Sequence, residues 1–164
     1  MLGDMFLEGL GGPTDFAEAR RLLGLAAAQG NAEAQAYLAI MHFNGQGGPK
    51  DFMEARRLFQ LAAAQGFAPA QSSLGHMHNE GLGGPKDVAE ARRLLGLAAA
   101  QGNDNAQFML GEMHKSGQAG PKDVVEARRL IELAVAQGHA GAQTSLAEMH
   151  RSGLGVPKDL ICPG

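Results

Sequence analysis

Apolar residues along this chain alternate between two helical patterns. After Asp15, the positions Phe16, Ala19, Leu22, Leu23 and Ala26 follow i, i+3, i+4, i+7 spacing and share one helical face. Asp15 predicts an N-cap, and Glu18 three places on makes a D-x-x-E variant of the capping box. Gly30 predicts the stop, at a C′ position where positive φ is easy for glycine. A second helix then carries the stripe Ala34, Leu38 and Met41, and Gly45 ends it. Asn31 is a good cap for this second helix. The run Gly45-Gln46-Gly47-Gly48-Pro49-Lys50 that follows is turn chemistry throughout. Helices of about 15 residues, roughly 22 Å long, are expected for the first type.

The whole pattern recurs. Pro13, Pro49, Pro85, Pro121 and Pro157 stand 36 residues apart, and so do Leu2, Leu38, Leu74, Leu110 and Leu146. Met5, Met41, Met77, Met113 and Met149 keep the same register with no gap. First-type helices therefore recur after Asp51, Asp87 and Asp123 and end at Gly66, Gly102 and Gly138, while second-type helices end at Gly81, Gly117 and Gly153. Asn103 caps as Asn31 does, but Phe67 and His139 hold that slot and are not expected to cap. Small residues at Ala39, Gly75, Gly111 and Ala147 predict close approach of neighbouring helices.

The expected organisation is one repeat array over residues 1–159, with a 160–164 tail. A partial repeat at 1–12 precedes full repeats at 13–48, 49–84, 85–120 and 121–156, and 157–159 starts another. The count gives eight full helices after a fragment of one. Neither end carries a polar capping repeat, so a piece of a longer array, or end-to-end self-association through the bare faces, is expected.

The run Ala-Gln-x-x-Leu-Gly-x-Met-His-x-x-Gly-x-Gly-Gly-Pro-Lys-Asp, clearest from Ala70 to Asp87, resembles the Sel1-like repeat. Glu-Ala-Arg-Arg-Leu and Ala-Ala-x-Gln-Gly, from Glu90 to Gly102, complete the likeness. The tetratricopeptide repeat differs in its period and lacks the glycine-rich Pro-Lys-Asp loop. The resemblance implies an all-α, right-handed superhelix of antiparallel helix pairs with a concave groove. It also implies an adaptor or scaffold, as in signalling, protein quality control and bacterial–host contact. Two departures stand out: the family usually has an aromatic where His42, His78, His114 and His150 stand, and often one at Leu22, Leu58, Leu94 and Leu130. The architecture should survive both, with a less aromatic core.

Composition narrows the function further. A formal charge of −3 gives no electrostatic reason to expect nucleic acid or an anionic membrane. The single cysteine, Cys162, forms no internal disulfide. No apolar run reaches the roughly 20 residues that span a bilayer, and no signal peptide is evident, which together favour the cytoplasm as an expectation.

The chemically capable residues read mostly as structural. The ladder His42, His78, His114 and His150 puts one histidine in each repeat. Helix axes about 8–10 Å apart keep four rungs from converging on one metal ion. His76 and His78 point to nearly opposite sides of their helix. The pairs Arg20-Arg21, Arg56-Arg57, Arg92-Arg93 and Arg128-Arg129 each follow a glutamate placed for an i, i+3 ion pair. They read as a solvated, self-neutralised face, and no aromatics interleave them as single-strand binding would require. In Gly81-Leu82-Gly83-Gly84-Pro85-Lys86 proline precedes the lysine, aspartate follows it and no strand is predicted, so it reads as a turn and not as a Gly-Lys-Ser/Thr phosphate loop. Some cysteine-rich Sel1-like proteins have been called β-lactamases, but their paired cysteines and a Ser-x-x-Lys motif are missing. The expectation is no enzyme, no metal and no cofactor, with metal binding, hydrolysis or an inert repeat fragment as the alternatives.

What remains is a surface. A turn of 100° per residue places slots 36, 40 and 43 opposite the packed face of the second-type helix. Those slots read Ala36, Ile40, Phe43; Ser72, His76, Asn79; Phe108, Glu112, Lys115; Thr144, Glu148, Arg151. Beside them lie Tyr37, Ser73, Met109 and Ser145. The packed slots barely change between repeats while these do. The candidate partner-binding face is therefore Tyr37, Ile40, Phe43, His76, Asn79, Phe108, Met109, Glu112, Lys115, Glu148 and Arg151, for a protein or peptide partner. In the resembled fold this helix lines the groove. Divergence on a solvent face is the other explanation.

Overall fold

The computed structural model describes residues 14–155. The expected partial repeat at 1–12, the start at 157–159 and the tail at 160–164 lie outside the described residues. Eight α-helices are present among them, each of 13 residues, and no strand: α1 Phe16–Ala28, α2 Ala32–Asn44, α3 Phe52–Ala64, α4 Ala68–Glu80, α5 Val88–Ala100, α6 Asp104–Ser116, α7 Val124–Ala136 and α8 Ala140–Ser152. The chain divides into two compact units between Asp87 and Val88, so α1–α4 form one and α5–α8 the other.

The helix ends follow the sequence with two differences. The carboxylates of Asp15, Asp51 and Asp123 accept the N–H groups of Glu18, Glu54 and Glu126 at 3.0 Å. The reciprocal half of the capping box is not used at Asp51 or Asp123. Their own N–H groups donate instead to the carbonyls of His42 (2.8 Å) and His114 (2.9 Å) at the end of the preceding helix. This frees the glutamates to bind arginine. At the other end of α1, Gly30 has φ 87°. Its N–H donates to Ala27 and that of Asn31 to Ala26, a Schellman arrangement that satisfies two of the helix's orphan carbonyls. Asn31 then caps α2 through the Ala34 N–H at 2.8 Å, so three residues suffice to reverse the chain.

His139 corrects the sequence reading: its Nδ1 accepts the Ala142 N–H at 3.1 Å and caps α8 as asparagine does elsewhere. An imidazole nitrogen with a free lone pair offers the same acceptor at nearly the same reach. Phe67 makes no side-chain cap, and Pro69 in the first turn of α4 suits a position with no intrahelical N–H partner.

In the first unit the core comprises Leu23, Leu38, Met41, Leu58, Phe59, Leu74 and Met77. In the second it comprises Leu95, Leu110, Met113, Leu130, Ile131 and Met149. Close approach occurs where the small slots predict it. A Cβ on Gly111 would stand 2.7 Å from Ile131 Cγ1 and 3.2 Å from the Ala127 carbonyl, so α6 and α7 touch through backbone. Ala39 and Gly75 are buried likewise, while Ala147 on the last helix is exposed.

Candidate functional site

The histidine ladder and the first arginine of each pair form a single seam. In the first unit, Arg56 Nη2 lies 2.7 Å from His78 Nδ1 and donates to the Pro85 carbonyl at 3.1 Å. Its Nη1 donates to the Leu82 carbonyl at 3.1 Å. Arg20 meets His42 and the Gln46 carbonyl in the same way. In the second unit, Arg92 meets His114 Nδ1 at 3.1 Å and the Gln118 carbonyl at 2.8 Å, and Arg128 reaches His150 Nε2 at 3.4 Å. The guanidinium's planar fork of donors therefore ties a first-type helix to the end of the next helix and to the loop beyond it. Glycine in that loop makes room. A Cβ on Gly84 would stand 2.6 Å from Arg56 Nη1, and one on Gly120 2.5 Å from Arg92 Nη1.

The seam corrects the reading of the arginine pairs as one solvated face. That reading holds only for the second member. Arg21, Arg57, Arg93 and Arg129 bind Glu18, Glu54, Glu90 and Glu126 at 2.6 Å, with more than half of each arginine side chain in solvent. The guanidinium hydrogen bonds of Arg21, Arg57 and Arg129 hold Glu18, Glu54 and Glu126 below the ordinary carboxylate range. The first member turns inward, and Arg56 is only 6% exposed. Burial, and then the neighbouring Arg20 or Arg92, pushes the His42 and His114 imidazoles below their usual value.

The proposed partner-binding residues are less open than a helical wheel suggests. α2 packs on both α1 and α3, and α6 on both α5 and α7. Ala36 is consequently buried, not outward, and Ser72 on α4 is buried as well. Ile40, at 39% exposure, is an open apolar position on α2, and Glu148 and Arg151 are open on α8. Tyr37, His76, Asn79 and Met109 are half-buried. Phe43 meets Phe52 edge-on, with ring centroids 5.0 Å apart. Phe108 packs over the His139 ring at 4.7 Å. Lys115 donates to Glu112 at 2.7 Å and to Ser145 Oγ at 2.9 Å, while Ser145 donates to Glu112. This triangle bridges α6 and α8 with its serine buried. Among the described residues, no three His, Cys, Asp or Glu side chains come together as a metal site would require. No helix among them is long and apolar enough to cross a membrane.

Two periodic features escaped the sequence reading. Buried Gln35 donates to the Ala27 carbonyl and accepts from Gln65 Nε2 at 2.9 Å; Gln107 and Gln137 repeat the pair in the second unit. The signal was an invariant glutamine beside the packed alanine. Leu25, Leu61, Leu97 and Leu133 are exposed by 54, 43, 44 and 41% at one slot of the first-type helices. In the first unit an open cleft of about 360 Å³ adjoins this row, lined by Gly24, Ala28, Leu38, Leu58 and Leu61 among others.

The sequence matches the Sel1 repeat family over residues 1–31, 32–67, 68–103, 104–139 and 140–161. The chain belongs to the Sel1 repeat family. Its fold is likewise that of solved Sel1 repeat proteins. One is a protective antigen present in uropathogenic Escherichia coli strains, displaying an SLR fold, at 33% identity and TM-score 0.87 over 96% of this chain. A second, from Oxalobacter formigenes, is 29% identical with TM-score 0.87 over 95% of the chain. A third, a Sel1 repeat protein from Klebsiella pneumoniae, shares the fold at 22% identity and TM-score 0.57 over 91% of the chain. The chain spans 34% of the first of these proteins, 62% of the second and 74% of the third. No curated protein matches it.

Each interior Sel1 repeat runs from a second-type helix to the following first-type helix, as α2 and α3 do within 32–67. Arg20 and His42 then belong to successive Sel1 repeats, as do Arg56 and His78, and Arg92 and His114. The arginine–histidine contact is thus a joint between repeats.

Proposed function

We propose that this Sel1 repeat chain is an interaction scaffold, and that the outward slots of its second-type helices contact a peptide or protein segment. Sel1 repeat proteins are commonly scaffolds of this kind. The observation that carries the reading is a contrast within the same helices. Leu38, Leu74 and Leu110 are identical and buried, while Ile40, His76 and Glu112 differ and reach the surface. Packing selects the first set equally in every repeat. A surface reading different parts of a partner has no reason to keep the second set alike, and an exposed apolar residue such as Ile40 suits a contact. No catalytic role is proposed. Ser145 is buried and shares its bonds between Lys115 and Glu112, an arrangement that joins helices and presents no open nucleophile.

The test is site-specific photocrosslinking in lysate of the source organism, with the photoreactive residue at Ile40 or Arg151 and, as the comparison, at Leu25 or Leu133. The expected result is one protein adduct common to the second-type positions and absent from the leucine row. Adducts only at Leu25 and Leu133 would transfer the binding surface to the first-type helices, and none at any position would contradict the scaffold reading.

A further inference from the structure

We propose that the arginine–histidine seam is an acid-sensitive latch: when His42, His78 and His114 become imidazolium, their arginines leave their seats and the glycine-rich loops they pin come free. The geometry demands a neutral ring. Arginine offers only donors, so the ring nitrogen facing it must present a lone pair, at 2.7 Å in His78 and 3.1 Å in His114. An imidazolium has no lone pair, and protonation would set two cations at hydrogen-bond distance.

Around His42 and His114 the nearby carboxylates compensate only in part, because burial and arginine still lower both imidazoles. His42 faces Arg20 from α1, and Asp51, Glu54 and Arg57 from the start of α3. His114 faces Arg92 from α5, and Asp123, Glu126 and Arg129 from α7. The carboxylates are already engaged: Glu54 and Glu126 each hold their own arginine by two hydrogen bonds, and Asp51 and Asp123 cap their helices. The same guanidinium that meets the ring also holds the loop, through the carbonyls of Gln46, Leu82 and Gln118. Loss of the ring contact therefore loosens the loop, and it does so at three joints of the array.

The sign follows from the lowered imidazole pKa values of His42 and His114. A histidine whose folded pKa lies below its unfolded value of about 6.5 contributes stability that is complete above that value and lost as pH falls through the folded pKa. The paired glutamates act in a separate window. Their depressed pKa values make their contribution disappear only as pH drops below about 4.3.

The experiment compares the full chain with the variant H42Q/H78Q/H114Q, in which glutamine accepts from arginine but does not titrate. Thermal unfolding and hydrogen-exchange protection of the 46–51, 82–87 and 118–123 loops are followed from pH 7.5 to 5.0. The native chain is expected to lose about 5 °C or more of Tm, with loop protection falling first, and the variant less than half of that. Equal losses in both, or no loss in either, overturn the proposal. Should the variant fold poorly, NMR titration of the native imidazoles decides: protonation accompanied by loss of loop protection supports the latch, and protonation with protection unchanged sinks it.

Discussion

Arg56 and Arg57 are neighbours in sequence and opposites in structure. The first is sealed into the joint between two repeats, and the second lies on the surface beside Glu54. Both recur identically in each repeat, so repetition alone does not distinguish a residue that holds the array together from one that decorates it. The difference lies in what would be left behind. Removing Arg56 takes its hydrogen bonds away from an imidazole and two loop carbonyls. Removing Arg57 returns a solvated glutamate to water. A buried charged hydrogen bond contributes about 1.5–3 kcal/mol and an exposed i, i+3 pair about 0.2–0.5 kcal/mol.

The comparison between sealed and open slots is broken most forcefully by placing the same acid in each. Leu74→Asp buries a carboxylate at a position only 4% exposed and is expected to cost more than about 4 kcal/mol, abolishing cooperative unfolding of the array in denaturant. Ile40→Asp, at 39% exposure, is expected to stay within about 0.5 kcal/mol of the native chain. Equal damage would mean that α2 has no open face. A smaller effect sharpens the account of the loops. Ala119 has φ 54° at the slot where Gly47 and Gly83 have φ 70° and 67°. The left-handed region costs an L-residue about 1–2 kcal/mol, against the smaller entropic penalty of glycine. Ala119→Gly should therefore gain about 0.5–1 kcal/mol in equilibrium unfolding; a loss would show that the alanine methyl makes a contact worth more than the strain.

Most of the architecture was legible in the sequence because its signals are local. Asp15 and Glu18, or Gly30 and Asn31, lie within one helical turn of what they satisfy. The seam was not legible, since Arg20 and His42 lie 22 residues apart on different helices. Each also had a nearer explanation, Glu18 for the arginine pair and an aromatic slot for the histidine. The candidate face was only partly legible for a geometric reason. A helical wheel assigns one packed side, but α2 and α6 are flanked by a first-type helix on each side. Ala36 on α2 is buried between those flanks. Phe108, Glu112 and Lys115 are half-covered by partners on α8 and its cap, contacts that no single-helix projection contains.

The first arginine of each pair carries the joints and the second does not. Two triple variants of identical composition test it: R20A/R56A/R92A and R21A/R57A/R93A, melted side by side at pH 7.5. The first is expected to lose more than about 10 °C of Tm or its cooperative transition, and the second to remain within about 3 °C of the native chain. Equal losses in the two variants would contradict the account.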